Sequence, residues 1–110
     1  MDQSPDAVPP IVAAAIAAAN AHDTDAFLDA FAPGGAVDDW GRVFTGPEAI
    51  RGWSDREFIG VDVTLGDLRG DPVDGGVAVT AQVGGRGFNG PSTFTFLVGD
   101  AGIERMTITA

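Results

Sequence analysis

Asp39 is the residue whose setting most suggests chemistry. It stands in Val37-Asp38-Asp39-Trp40, a segment that reads as a short strand between Gly35 and Gly41. Side chains alternate along a strand, so Val37 and Asp39 share one face and Asp38 points the other way. An acid on the face of a core valine looks into the interior or into a cavity there. Burying a carboxylate costs several kcal/mol unless it is paired or kept protonated. In an apolar pocket such a group can carry a proton between carbons of a substrate. A structural role is equally open: a pair with Arg42, or a cap on the turn at Gly41. Trp40, Trp53 and Phe94 could wall a site for a ring-shaped ligand, or simply pack the core. Arg42 or Arg86 could orient a carbonyl or carboxylate, or offset the acidic surface.

Placing that carboxylate takes a strand end braced by helices, and the flanking pattern supplies both. Val8, Ile11, Val12, Ala15, Ile16 and Ala19 recur at helical spacing, with Asp6 placed to cap the helix. Asp23 can cap a second helix holding Phe27, Leu28 and Phe31, which Pro33-Gly34-Gly35 should stop. Residues 36–40 and 41–45 then form two short strands. Thr45-Gly46-Pro47-Glu48 fits a capping box for a third helix carrying Ala49, Ile50 and Trp53 and ending by Gly60.

From Val61 the period changes to two. Val61, Val63 and Leu65 alternate with polar residues, residues 71–76 turn, and Val77, Val79, Ala81 and Val83 alternate again. Asn89-Gly90 is a strong hairpin signal. Phe94 and Phe96 share a face of the next strand, and residues 103–109 form the last. The expected class is α+β, with three N-terminal helices on a mostly antiparallel sheet. One sheet face is apolar and should receive the helices. The other carries Thr64, Thr80, Gln82, Thr93, Thr95 and Leu97, and a homodimer through that face is expected.

The 110 residues suit a single domain, with residues 1–7 frayed. A net charge of −10, from 16 acids against 6 bases, disfavours nucleic acid and anionic lipid as partners. The absence of cysteine excludes disulfides and thiolate metal sites. No apolar run nears the ~20 residues that cross a bilayer. The first ten residues lack the basic start of a secretory signal, so the cytoplasm is the expected location.

Other patterns carry less. His22 is the sole histidine, sits in an interhelical turn, and suits a solvated or C-capping role. Arg69-Gly70-Asp71 matches the adhesion tripeptide but lies in a turn region. Gly84-Gly85-Arg86-Gly87 reads as a hairpin loop in so acidic a chain. No glycine-rich phosphate loop and no calcium loop is present.

The segments HDTDAFLDAFAPGGAVDDW, FTGPEAIRGW and GDAGIERM resemble the nuclear transport factor 2-like superfamily, in its SnoaL-like and ketosteroid-isomerase-like branch. The resemblance runs from about Val8 to Thr109. It implies a cone of helices and curved sheet with a pocket between them. It also implies that Val37-Asp38-Asp39 matches the isomerase motif that ends in the general base. Two further isomerase groups have no counterpart. The chain has no tyrosine, the matching position falling near Ala15, and residues 92–94 lack the second acid. Glu104 is the one charged candidate for the late-strand acid of the cyclases. An epoxide-hydrolase grouping would have to draw on Asp39, Arg86 and Asp67.

The expected function is a cofactor-independent enzyme that transfers a proton at Asp39 on a small hydrophobic or cyclic molecule. Trp40, Trp53 and Phe94 would be walls, with Arg42 or Arg86 as orienter. The alternative is a non-catalytic ligand-binding or dimerisation module of the same fold.

Overall fold

Ten elements follow one another in the computed structural model, which describes residues 8–110: α1 (Pro10–Asn20), α2 (Thr24–Asp29), β1 (Phe31–Asp39), β2 (Arg42–Thr45), α3 (Pro47–Glu57), a single 3-10 turn (Ile59–Val61), β3 (Thr64–Val73), β4 (Gly76–Gly84), β5 (Gly90–Gly99) and β6 (Gly102–Thr109). The expected frayed segment and the Asp6 cap lie outside the described residues.

The strands form one open sheet in the order β2-β1-β6-β5-β4-β3. Every neighbouring pair is antiparallel except β1 and β6. The three helices are not one N-terminal block, because the β1–β2 hairpin separates α2 from α3. α1 lies against β3 and β6, and α3 against β1 and β2.

The inward face follows the alternation of the sequence. Val77, Val79, Ala81 and Val83 of β4 are buried, as are Phe94 and Phe96 of β5. They meet Val12, Ala15, Ile16 and Ala19, a helical stripe at spacings of three and four. Asn20 closes the joint between layers. Its amide donates to the Leu65 carbonyl oxygen (3.1 Å) and accepts from the Leu65 N–H (2.7 Å), as a neighbouring strand would.

Several local expectations are corrected. α2 ends at Asp29, before Pro33-Gly34-Gly35, and that triplet bulges within β1 instead. Phe31 pairs with Ile103 and Ala36 with Arg105, so β1 carries extra chain between the two pairs. Gly35 is required there, since a Cβ would stand 2.7 Å from the Ile103 carbonyl oxygen. The Thr45 capping box does not form. Thr45 is held in β2 opposite Ala36, so Gly46 takes the cap position and Pro47 the first turn. Val61 closes the 3-10 turn, and the strand starts only at Thr64, after Asp62 in a left-handed conformation (φ 58°).

The turn expected over residues 71–76 contracts to Asp74-Gly75, with Val73 already paired to Gly76. Arg69-Gly70-Asp71 therefore lies inside edge strand β3. Asn89-Gly90 does not form a tight turn. Gly90 is in the ladder opposite Val83, and Asn89 donates to the Gly85 and Gly87 carbonyl oxygens across a longer loop. His22 also departs from expectation. With φ at 56°, its Nε2 lies 3.0 Å from the Val63 carbonyl oxygen, to which it donates.

Candidate functional site

Asp39 ends β1, where the strand is flanked by Arg42 of β2 on one side and Ile108 of β6 on the other. Val37, two residues earlier, is fully buried, and the Asp39 side chain keeps 15% of its surface exposed. That remaining surface borders a cavity of about 350 Å³. The floor is apolar, formed by Val63, Val83, Phe94 and Ile108 with Ser92 among them. Trp53, Glu57 and Phe58 close it from the α3 side, and Trp40, Arg56 and Phe88 stand at its edge. The volume lies near the lower end of the range for small-molecule sites, ~300–1,000 Å³.

The carboxylate is held from one side only. Asp39 Oδ2 accepts from Trp53 Nε1 (3.0 Å) and from an Arg42 guanidinium nitrogen (2.6 Å). Among the described residues, Oδ1 accepts no hydrogen bond from a side chain or backbone N–H. Arg42 simultaneously grips Glu57 through two bonds, of 2.9 and 2.7 Å. The result is a chain of carboxylate, guanidinium and carboxylate, with both acids bordering the cavity. The Arg42 hydrogen bonds hold the Glu57 carboxyl below its ordinary range, and Glu57, followed by Asp39, makes the Arg42 cation harder to deprotonate.

Asp38 faces away, as the alternation requires, yet it is not simply solvated. It accepts from Arg105 (2.9 Å) and from the Gly41 N–H (2.8 Å), which together lower its pKa. The turn cap considered for Asp39 is thus provided by Asp38, and the Arg42 pair belongs to Asp39.

Trp40 and Gly41 form the two-residue turn between β1 and β2, both with positive φ (55° and 90°). That combination matches the right-handed twist of the flanking strands. Glycine adopts it freely, whereas a bulky residue there is strained. Trp40 nevertheless sits there, 65% exposed, at the cavity edge. Trp53 is 1% exposed and stacks on Phe58 at 4.9 Å between ring centroids, so it serves core and cavity together.

Of the residues singled out from the sequence, Asp39, Trp40, Trp53 and Phe94 converge on the cavity, and Arg42 reaches it through Asp39. Arg86 does not. It donates to Asp62 Oδ2 (2.7 Å) and to the Gly60 carbonyl oxygen (2.9 Å), pinning the β4–β5 loop to the 3-10 turn. The Asp39, Arg86 and Asp67 grouping therefore does not assemble. Glu57 was missed, although it lies four residues after Trp53 and must share its helix face. Ser92 was not singled out either, although it begins the stretch 92–94 that the resemblance matched to the isomerase's second acid, and it borders the cavity.

No family model and no curated protein matches the chain in sequence. Solved structures do. A "putative polyketide cyclase" of Sinorhizobium meliloti is 30% identical over 97% of this chain and 99% of its own, with a TM-score of 0.82. A second protein of that description, from Xanthomonas campestris pv. campestris, is 25% identical over 96% of this chain and 91% of its own, at 0.76. A nuclear transport factor 2-like protein of unknown function from Cytophaga hutchinsonii shares the fold at 10% identity, over 90% of this chain and 85% of its own, at 0.77. With the helix order, the sheet topology and the cavity beside Asp39, these likenesses show that the chain belongs to the nuclear transport factor 2-like, SnoaL-like superfamily.

Proposed function

We propose that the chain is a cofactor-independent enzyme that moves a proton on a small, hydrophobic, cyclic molecule, with Asp39 as the base. The observation that carries this reading is the asymmetry of the Asp39 carboxylate. Trp53 and Arg42 anchor Oδ2, and Oδ1 has no hydrogen-bond partner among the described residues. A base fixed by one oxygen keeps its orientation while the other takes a proton from a ligand carbon. Returned to a second carbon, the proton leaves the molecule isomerised and the enzyme unchanged. Trp53 and Phe94 would wall the ligand and Trp40 cover it, while Arg42 orients the base. The S. meliloti and X. campestris proteins, each described as a "putative polyketide cyclase", support a reaction on a cyclic molecule.

Asp39→Asn tests this reading. It keeps the acceptor for Trp53 and removes the base. Solvent-deuterium incorporation into cyclic ketones, read by mass spectrometry, should fall at least a hundredfold, in line with the ~10²–10⁴ that general-base catalysis contributes. Wild-type rates in the variant would remove the proposal.

The second reading is a non-catalytic ligand-binding module. It draws on the completeness of the Asp39, Arg42 and Glu57 chain, which could serve structure alone. Ligand binding with no deuterium incorporation in the wild type would favour it. We also propose that two copies associate through the outer sheet face, where Thr64, Thr80, Gln82 and Leu97 are exposed.

A further inference from the structure

With 16 acids against 6 bases, all of them arginines, a base in this chain has partners in excess. Arg42, Arg51, Arg86 and Arg105 each hold a carboxylate at 2.9 Å or less. Arg56 does not. Among the described residues its guanidinium makes no ion pair and no hydrogen bond, and it stands at the cavity edge. Glu57, the next residue, is already gripped by Arg42 through two bonds. Arg69, on edge strand β3, does not border the cavity.

The helix makes room for this side chain. Arg56 lies one turn after Gly52, in the last turn of α3. A Cβ at Gly52 would stand 3.2 Å from Arg56 Nη1, so the guanidinium rests where a larger residue would crowd it. Glycine weakens a helix interior relative to alanine. The helix dipole favours a cation in the last turn, but that preference needs no glycine one turn earlier. The cavity is also uneven in what it can hold. Its floor of Val63, Val83, Phe94 and Ile108 disfavours a buried ion. Its mouth is open to water, with Arg56 exposed and the flanking Trp40 and Phe88 65% and 59% exposed. A charged arm placed there keeps part of its hydration while an apolar ring fills the floor.

We propose that Arg56 is a ligand-binding residue that receives a carboxylate arm at the cavity mouth, so that the preferred ligand is a cyclic monoacid with its ring on the apolar floor. The ring rests on the function proposed above; the acid is the addition. A guanidinium presents paired N–H donors that match the two oxygens of a carboxylate. A phosphate suits the mouth less well. The Asp39, Arg42 and Glu57 chain already carries a net charge of −1 beside the cavity, and a doubly charged arm would meet twice the repulsion of a singly charged one.

The test uses 4-oxocyclohexanecarboxylate and its neutral amide as probes, titrated by amide shifts at Val83 and Phe94 into the wild type, Arg56→Gln and Arg56→Lys. The wild type should bind the acid ~3–10-fold more tightly than the amide, the worth of a charge-assisted pair at a partly exposed site. That preference should shrink as salt is raised. Arg56→Gln should lose it with the amide affinity unchanged, and Arg56→Lys should keep part of it. Equal affinities of the two probes for the wild type, or a preference that survives Arg56→Gln, would overturn the assignment. Failure of both probes to bind the wild type would overturn it together with the cavity reading. Deuterium incorporation into the same acid separates the two proposals. An Arg56-dependent preference without Asp39-dependent exchange supports the assignment and removes the catalytic role; Asp39-dependent exchange with no preference for the acid does the reverse.

Discussion

Trp40 shows most clearly that the site is not arranged for stability alone. A large side chain in the left-handed region is disfavoured, by roughly 1–2 kcal/mol, and Trp40 recovers little of that by burial, being 65% exposed. Trp40→Gly should therefore leave stability unchanged or raise it by about 0.5 kcal/mol, once the extra chain entropy of glycine is subtracted. The same change should weaken binding of a small cyclic ketone, such as those used to follow deuterium incorporation, several-fold. Denaturation and titration together check it, and a clear loss of stability would mean that the indole packs as part of the core. Glu57 offers a second test. Its carboxyl is held below the ordinary value of 4.5 by Arg42. A depressed carboxyl contributes stability above its unfolded pKa and loses it as pH falls through the folded one. Glu57→Gln should thus cost at most about 1 kcal/mol at neutral pH, the pair being partly exposed. The difference from the wild type should shrink as pH drops below 4.5. A difference constant down to pH 3 would contradict the pairing.

At the scale of elements, β1 is the strand on which the site depends, and its path is set by close backbone approach. It joins the β2 hairpin to β6, the only parallel pair of the sheet. The Pro33-Gly34-Gly35 bulge brings Val37 and Asp39 into register with Met106 and Ile108. Gly35→Ala would press a methyl group against the Ile103 and Ala32 carbonyl oxygens. We expect a loss of about 1–3 kcal/mol in urea denaturation, as for other overpacked sites, with faster amide exchange at Val37 and Asp39. Full stability in the variant would show that the bulge can shift. α3 plays the complementary part. Its Ile50, Trp53 and Ser54 are buried on one face, and Glu57 follows one turn on at the cavity. One helix face thus brings the indole donor and the second acid to Asp39.

For the whole molecule, the outer sheet face and the net charge make opposing demands. Two copies meeting through Thr-rich strands bury Leu97, which is 37% exposed in the single chain. Each copy also brings a net charge of −10. Sedimentation equilibrium should therefore find a dimer whose association strengthens from 0.05 to 0.5 M salt, as screening weakens the repulsion. Leu97→Glu should yield monomers. A wild-type monomer at every salt concentration would remove the proposed interface. No helix among the described residues is long and apolar enough to cross a membrane.

Local rules were enough to place the helices, the alternating strands and the inward face of Asp39. Helical spacing and strand alternation act over a few residues, so Val37, Asp39, Val79 and Phe94 were oriented correctly from neighbours alone. Ends and turns were less legible. Thr45 lost its capping role to a ladder contact with Ala36, and Asn89-Gly90 lost its tight turn to the pairing of Gly90 with Val83. Contacts between residues far apart in sequence were decided only by the tertiary structure. Arg42 could have faced solvent, but α3 brings Glu57 against it; Arg86 could have reached the pocket, but the 3-10 turn presents Asp62 first. Ser92 became a buried hydroxyl in a cavity wall because three apolar strands and the end of α3 enclose it. Such enclosure belongs to the packing of layers, and no local spacing encodes it.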